Sequence, residues 1–477
     1  MNELFGLETL KSDNSEFELR SQAVEKRQFQ IKIPDDVKSI LYILVDAGYD
    51  AYVVGGCVRD SYVGIEPHDW DICTSALPRQ MQECFAGYHV IETGIKHGTL
   101  TIVLNNIGYE ITTFRTDGEY SDHRHPSNVG FITSLKEDLA RRDFTVNAMA
   151  ADVDGNIIDY FNGIDDLQNK KIRCVGNADE RFQEDALRIL RCLRFASRGF
   201  SVDHETMLAA RKNCGLLRCI SAERINSELC KMLMGHDILR VMIEFQDVIA
   251  TIIPEITPCI GFEQNNKYHM YTIYEHIVHA VANYNGNDIV VRLALLLHDI
   301  GKPNSYIENE TGGHFHGHGI ISRDIAEQVM DRLKFDNKTK HDVLELILYH
   351  DSVIEPQKKI VLRWLSKIGT VQFERLMDLR LADIMAHAPL DRDSRIDRRN
   401  KLVALYNEIL NENECFQLKD LAVNGHDLIK IGYEQGQDIG NILDLLLDMV
   451  ICDKVENKKD ALIEVALNGI ENQEGLQ

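Results

Sequence analysis

The run Val53-Val-Gly-Gly-Cys-Val-Arg-Asp60, followed nine residues later by Asp69-Trp-Asp71, restricts this chain more than any other stretch. Ala51 to Val54 reads as a short strand, Gly55-Gly56 as a tight turn and Cys57 to Tyr62 as a helix, three elements with no room for a linker. Paired glycines let backbone N–H groups approach an anion without a Cβ in the way, and a helix start favours negative charge. Carboxylates at i and i+2 on a strand face the same way, so Asp69 and Asp71 can share a divalent cation. Arg59, in the first turns of the helix, is placed to grip phosphate bidentately. Phosphate around Gly56 and Arg59 beside Mg²⁺ on Asp69 and Asp71 is therefore the expected arrangement. Glu110, in the strand-like Tyr109-Glu-Ile-Thr-Thr-Phe114, is the candidate third carboxylate; an outward-facing strand glutamate is an equally good reading of it.

At 477 residues the chain is long enough for several domains. Hydrophobic residues at 44% and only 40 glycines and prolines exclude disordered and collagen-like classes. The longest apolar stretches, such as Val290 to Leu297 around Arg292, are too short for a membrane span, and the amino terminus resembles no export signal. Eleven scattered cysteines without a CxxC pair read as reduced thiols, and a cytoplasmic location is expected. A net charge of −23 means that any RNA site is a local patch. Residues 171 to 235, with 12 basic and 8 acidic side chains, are one such segment of opposite sign. Lys358, Lys359 and Arg363 are expected to extend its basic face.

The pattern divides into an extension over 1–33, an α/β head with a small mixed sheet over 34–164, a helical neck over 165–235, a histidine-rich helical body over 236–400 and a helical tail over 401–477. Several ordered blocks in the first half resemble the class II CCA-adding tRNA nucleotidyltransferases and bacterial poly(A) polymerases, whose heads are polymerase-β-like. Besides GGCVRD and DWD they are Glu92-Thr-Gly-Ile-Lys-His-Gly-Thr99, the Asp117 to Arg124 stretch, Arg141-Arg-Asp-Phe-Thr-Val-Asn-Ala148, Glu184-Asp-Ala-Leu-Arg188 and Glu223-Arg-Ile-Asn-Ser-Glu228. The resemblance implies template-independent addition of C, C and A from CTP and ATP to the 3′ end of tRNA, with two-metal chemistry and release of pyrophosphate. It implies that Gly56, Arg59 and Arg142 contact the nucleotide and that Asp185 and Arg188 read the base. A carboxylate and a guanidinium together suit the pairing edges of cytosine and adenine and refuse guanine and uracil. Asp185 and Arg188 are expected as neighbours on one helix face, with Arg191 and Arg194 continuing the row as triphosphate or RNA contacts. Glu223, Arg224 and Glu228 are expected to brace the neck. The Asp117 to Arg124 stretch resembles the loop that full CCA addition needs; CC-adding, A-adding and poly(A)-making relatives are the alternatives.

In the body, His276, His298-Asp299 and Asp383 form an H…HD…D series that resembles the HD phosphohydrolases. Imidazole and carboxylate converging from separate helices suit a divalent metal that activates water, with a transition metal expected in this site. His316, His318 and His350 are candidates for a second ion. The alternative from another class is an HD phosphohydrolase with a regulatory head.

Overall fold

Pro34, which has no N–H to lose, and the acids Asp35 and Asp36 start the helix Asp35–Asp46, where negative charge is favoured. Its apolar residues recur at helical spacing and Val37, Ile40, Leu41 and Leu44 are fully buried. The computed structural model describes residues 30–117, 129–310 and 312–474, in two compact units: 30–117, 129–169 and 173–176 form one, and 170–172 with 177–474 form the other. Residues 118–124 of the Asp117 to Arg124 block, and 1–29 of the extension, lie outside the described residues. The end of the extension belongs to the head: Ile31 N–H donates to Gly155 O at 2.9 Å, and Ile31 and Ile33 are buried.

The first unit is a seven-stranded mixed sheet. Its strands are β1 (Ala51–Val54), β2 (Ile72–Thr74), β3 (His89–Ile91), β4 (Thr99–Leu104), β5 (Ile107–Thr113), β8 (Met149–Ala151) and β9 (Ile157–Asp159), while β6 (Arg115–Asp117) and β7 (Val129–Phe131) form a separate ribbon. The order is β3-β4-β5-β2-β1-β8-β9; β2 and β5 run parallel and every other pair antiparallel. Val54, Cys73, Phe114, Leu139, Ala148 and Ala150 share a buried cluster on the sheet. The central strand β1 therefore delivers the Gly55-Gly56 turn from the middle of a rigid layer, and the helix Gly56–Tyr62 follows at once. Asp69 and Asp71 are not on a strand: they lie in the segment that leads into β2. Val54 N–H still donates to Asp71 O at 3.0 Å, so the ladder reaches the pair although both side chains stay exposed.

The second unit is almost wholly helical. Its neck helices are Ala178–Glu184, Leu187–Ala196, His204–Asn213 and Ala222–Leu233; the histidine-rich body comprises Ile273–Asn283, Ile289–Leu297, His318–Arg332, Asn337–Tyr349, Lys358–Ala386 and Arg392–Asn411. A Thr272/Glu275 capping box opens the first body helix, and Asp288 caps the second. A hairpin, Tyr306–Asn309 with Gly312–Phe315, interrupts the stretch that reads as helical throughout, and Gly369 at φ 77° kinks the long helix. Among the described residues no helix is long and apolar enough to cross a membrane.

Leu44→Ala, at a fully buried site, is expected to destabilise the first unit by about 2–5 kcal/mol, seen as an earlier thermal transition for that unit in scanning calorimetry. A change below about 0.5 kcal/mol would mean that this helix does not anchor the sheet.

Candidate functional site

Gly55 links strand to helix: its N–H donates to Met149 O at 3.0 Å while its own carbonyl accepts from Arg59 N–H at 3.2 Å. Satisfying both puts it at φ 83°, ψ −128°, a conformation open essentially to glycine, and a Cβ there would stand 3.1 Å from Arg142 Nη1. Gly56 is different. A Cβ on it would meet only Arg59 Nη2, at 3.7 Å, so the protein itself does not demand a glycine.

Arg59 is held by two anchors: Nε donates to Asp60 Oδ1 at 2.8 Å and Nη1 to Asn147 Oδ1 at 2.5 Å. Asn147 in turn donates to Asp143 Oδ1 at 3.1 Å, and Asp138, almost fully buried, accepts from Arg141 at 2.8 Å and Arg142 at 3.4 Å. Arg142 Nε is buried with no hydrogen-bond partner. Although Asp71 as a whole residue is exposed, partial enclosure of its carboxyl, with a smaller push from Asp69, lifts it above its usual range against the pull of Arg142. The turn thus gathers Gly55, Gly56, Arg59, Arg142, Asp69 and Asp71. Glu110 sits on β5 opposite Thr101 with its side chain exposed; its carboxylate forms no tight three-ligand group with the aspartates. Asp138, Asp143 and Asn147 went unread in the sequence, although Asp143 and Asn147 stand inside the Arg141 to Ala148 block.

In the neck, Asp185 is not on one helix with Arg188. It ends Ala178–Glu184 at φ −136°, ψ 101°, because its carboxylate accepts from Leu187 N–H at 3.1 Å and so starts the next helix. Its other oxygen accepts from Arg224 at 2.8 Å, and Arg188 donates to Glu184 Oε2 at 2.7 Å. Arg224 and Glu184 therefore hold the pair as an acid and a base on either side of a helix break. Arg194, on the same helix as Arg188 and Arg191, donates to Glu228 at 2.9 Å, which makes these two residues a neck brace. Lys358, Lys359 and Arg363 are met by tail acids: Glu414 at 2.7 Å, Asp453 at 2.9 Å and Asp448 at 3.0 Å. Their charge is neutralised within the fold, unlike the basic face expected of them.

The body holds a second constellation. His276 rises from one helix, His298 and Asp299 follow the end of the next, and Asp383 lies on the long helix. The structure also brings in His318 and His350. Two groups of three ligands result, His276/His298/Asp383 and Asp299/His318/His350, with all ligand atoms of a group within 4.8 Å of one another. The four sequence-identified residues are thus split between the two groups. His298, His318 and His350 each donate Nδ1–H to a backbone carbonyl, of Leu295 at 2.7 Å, Phe315 at 2.8 Å and Ile347 at 2.6 Å, and this turns Nε2 inward, where His318 Nε2 and His350 Nε2 share a hydrogen bond at 3.0 Å. His276 Nε2, His298 Nε2 and Asp383 Oδ1 are buried without hydrogen-bond partners, yet His276 Nε2 stands 2.9 Å and His298 Nε2 3.5 Å from Asp383 Oδ1. Buried polar atoms aimed at one point without bonding each other fit a cation. Burial alone would raise Asp299, but His298 and Lys302 hold it well below the usual carboxylate range; His298 itself is pushed up to about 10 by Asp299 and Asp383 against burial. His269 and His387 form a further imidazole group with His276, which no spacing rule signalled, whereas His316 and His341 are exposed and outside all three groups.

A glycine turn carrying arginines beside paired aspartates, on a mixed sheet, followed by a helical neck, defines a nucleotidyltransferase. The poly A polymerase head domain model matches residues 51–173, the "Probable RNA and SrmB-binding site of polymerase A" 199–259 and tRNA nucleotidyltransferase domain 2 320–466. The CCA-adding enzyme of Lactobacillus helveticus is 34% identical over 438 residues, covering 90% of this chain and 97% of that protein. That of Ligilactobacillus salivarius is 48% identical over 219 residues, 45% of this chain and 54% of that protein. The crystal structure of the Bacillus stearothermophilus CCA-adding enzyme in complex with CTP has a TM-score of 0.65 at 28% identity, covering 92% of this chain and 98% of that one. The chain belongs to the CCA-adding enzyme family.

Gly55→Ala is expected to cost the first unit about 1–3 kcal/mol in denaturant melts, because it strains the backbone and presses on Arg142. Gly56→Ala should change the same midpoint by less than about 0.5 kcal/mol. Equal losses at both positions would remove the distinction between a glycine the fold requires and one it does not.

Proposed function

We propose how the residues of this chain divide the work of a template-independent nucleotidyltransferase that adds C, C and A to the 3′ end of tRNA from CTP and ATP. The observation that carries the assignment is the glycine turn: Arg142 Nε is buried and unpartnered over Gly55, Arg59 is held in place by Asp60 and Asn147, and Gly56 offers bare backbone that the fold itself does not need. That combination suits a triphosphate lying against the turn. The donor set of Asp69 and Asp71, two carboxylates whose mutual repulsion a bound cation would relieve, suits Mg²⁺. When bound, the ion supplies charge neutralisation at the phosphate and eases loss of the proton from the attacking hydroxyl.

The tRNA 3′-hydroxyl oxygen forms a bond to the α-phosphorus, the bond to the β-phosphate oxygen breaks, and pyrophosphate leaves. Arg59 and Arg142 keep the triphosphate in line for this displacement. Asp185 accepts the exocyclic amino hydrogen of cytosine or adenine and Arg188 feeds the neighbouring acceptor, while Arg224 and Glu184 keep both side chains oriented. Glu110, exposed on β5 and in no ligand group with Asp69 and Asp71, is left without a role in the metal site. Arg191 meets phosphate or RNA, and Arg194 acts through its pair with Glu228. Eleven cysteines scattered along the chain, many of them buried among apolar side chains, support a cytoplasmic location.

A second reading belongs to the body, where the inward Nε2 atoms and Asp299 favour a two-ion phosphohydrolase centre. Four imidazoles with two carboxylates select a transition metal over Mg²⁺. When bound, such ions would polarise a phosphate ester and activate water.

Asp71→Ala is expected to lower CTP incorporation into tRNA lacking its last three nucleotides by about 10³-fold or more while leaving the body's metal content unchanged. Surviving incorporation would end the head assignment. Gly56→Ala should raise KM for CTP about tenfold in the same assay, without the stability loss of Gly55→Ala. Elemental analysis of the purified full chain should find two equivalents of transition metal, falling to one in His318→Ala and below one in Asp299→Asn; metal below 0.2 equivalents after loading would end the two-ion reading.

A further inference from the structure

Two of the metal-centre residues, His350 and Asp383, stand in a wall common to two cavities, and Asp299 and His318 line the first of them. One, of about 630 Å³, runs past Lys267, Lys302 and the hairpin residues His314 and Phe315. The other, of about 650 Å³, runs past Val353, Ser394 and Arg398. Tyr268, His350, Asp383, His387 and Arg395 belong to the lining of both. Each cavity alone has the size of a small-ligand pocket.

A phosphorus atom seated at the ligand cluster therefore has space for a substituent on either side. A phosphate monoester or a small cyclic phosphate fills one arm only. A linear phosphodiester fills both. The cluster is also deep, with His298 at 0% and Asp299 at 2% exposure, so the stiff backbone of a duplex does not reach it and a flexible single strand does. The lining suits such a strand. Tyr268, 43% exposed, offers a ring face to a base, with Lys267 Nζ 5.1 Å from its centroid. Arg395 is answered by Asp383 at 3.7 Å, and Arg398 is exposed at the far end. Asp351, which lines both arms, and Asp391, which lines the second, are exposed at the surface, while Arg395 lies deeper.

We propose that the body cleaves linear phosphodiester bonds in single-stranded oligonucleotides, with the chain straddling the cluster and a base resting on Tyr268. The inference rests on the metal-centre reading above. Water adds its oxygen to phosphorus, the P–O bond to one ribose breaks, the departing oxygen takes a proton as an alcohol, and the other fragment keeps a phosphate monoester. No oxidant or reductant is needed.

Binding comes first in the test and needs no metal. In EDTA, a fluorescein-labelled pentaribonucleotide titrated with the full chain should bind about tenfold more weakly to Tyr268→Ala and to Arg398→Ala by anisotropy. Tyr268→Phe, which retains the ring, should bind as the parent does. Unchanged affinity in both alanine variants, with thermal midpoints also unchanged, overturns the proposal. With Mn²⁺ supplied, the pentamer should be shortened, and Asp299→Asn should abolish this. Turnover of p-nitrophenyl phosphate or adenosine 2′,3′-cyclic phosphate with an intact pentamer sinks the proposal but leaves the metal-centre reading standing. Failure of all three substrates together with absent metal sinks both.

Discussion

The left-handed backbone at Gly55 is the constraint on which the head depends. A strand buried in the middle of a sheet cannot end gradually: its last N–H is claimed by Met149 O and its next carbonyl by Arg59 N–H, and one residue must turn the chain between them. Only a glycine does so while leaving room for Arg142. Because the turn is this tight, the helix that follows starts next to the segment carrying Asp69 and Asp71. The arginine–asparagine–aspartate chain through Asn147 and Asp143 then fixes Arg59 from the turn just ahead of β8, a strand far along in sequence but adjacent to β1 in the sheet. Catalytic geometry here follows from backbone hydrogen bonding before any functional side chain is considered.

The body solves a different electrostatic problem. Asp299 and Asp383 are removed from water, and an uncompensated buried carboxylate is costly. Lys302 Nζ at 2.7 Å from Asp299 and the raised affinity of His298 for a proton supply part of the missing positive charge. The histidine backs are tied to main-chain carbonyls at helix ends, so the rings cannot swing away to satisfy themselves elsewhere. A rigid, inward-facing set of bases around two buried acids stores a binding preference for multivalent cations.

Much of this was legible in the residues. The apolar run Ala51 to Val54 coincides with β1, and the strand-like Tyr109 to Phe114 overlaps β5 to within two residues. Short strands such as β2 and β8 carry only three residues each, too few for a periodic signal, and are stabilised by neighbours far away in sequence. The helix break at Asp185 was missed because i, i+3 spacing assumes one continuous helix, whereas a side-chain carboxylate capping Leu187 competes with that geometry. In the sequence His318 and His350 read only as candidates for a second ion, and His269 and His387 carry no group signal, since convergence from separate helices leaves no local pattern. Neutralisation of Lys358, Lys359 and Arg363 was equally invisible: their acidic partners arrive from the tail, 56 to 94 residues onward.

The two sites use opposite coordination chemistries for a reason that their exposure makes plain. In the head, Asp69 and Asp71 are open to solvent and supply only oxygen, which favours hard ions that keep much of their water and exchange quickly. An ion there can arrive and leave with each nucleotide. In the body the donors are mostly nitrogen and almost fully buried, which favours softer ions held between turnovers and slow to exchange. On the proposed assignments, the chemistry of the head is limited by nucleotide supply and that of the body by metal loading. Conditions that strip the buried ions would then silence the body while the head continues.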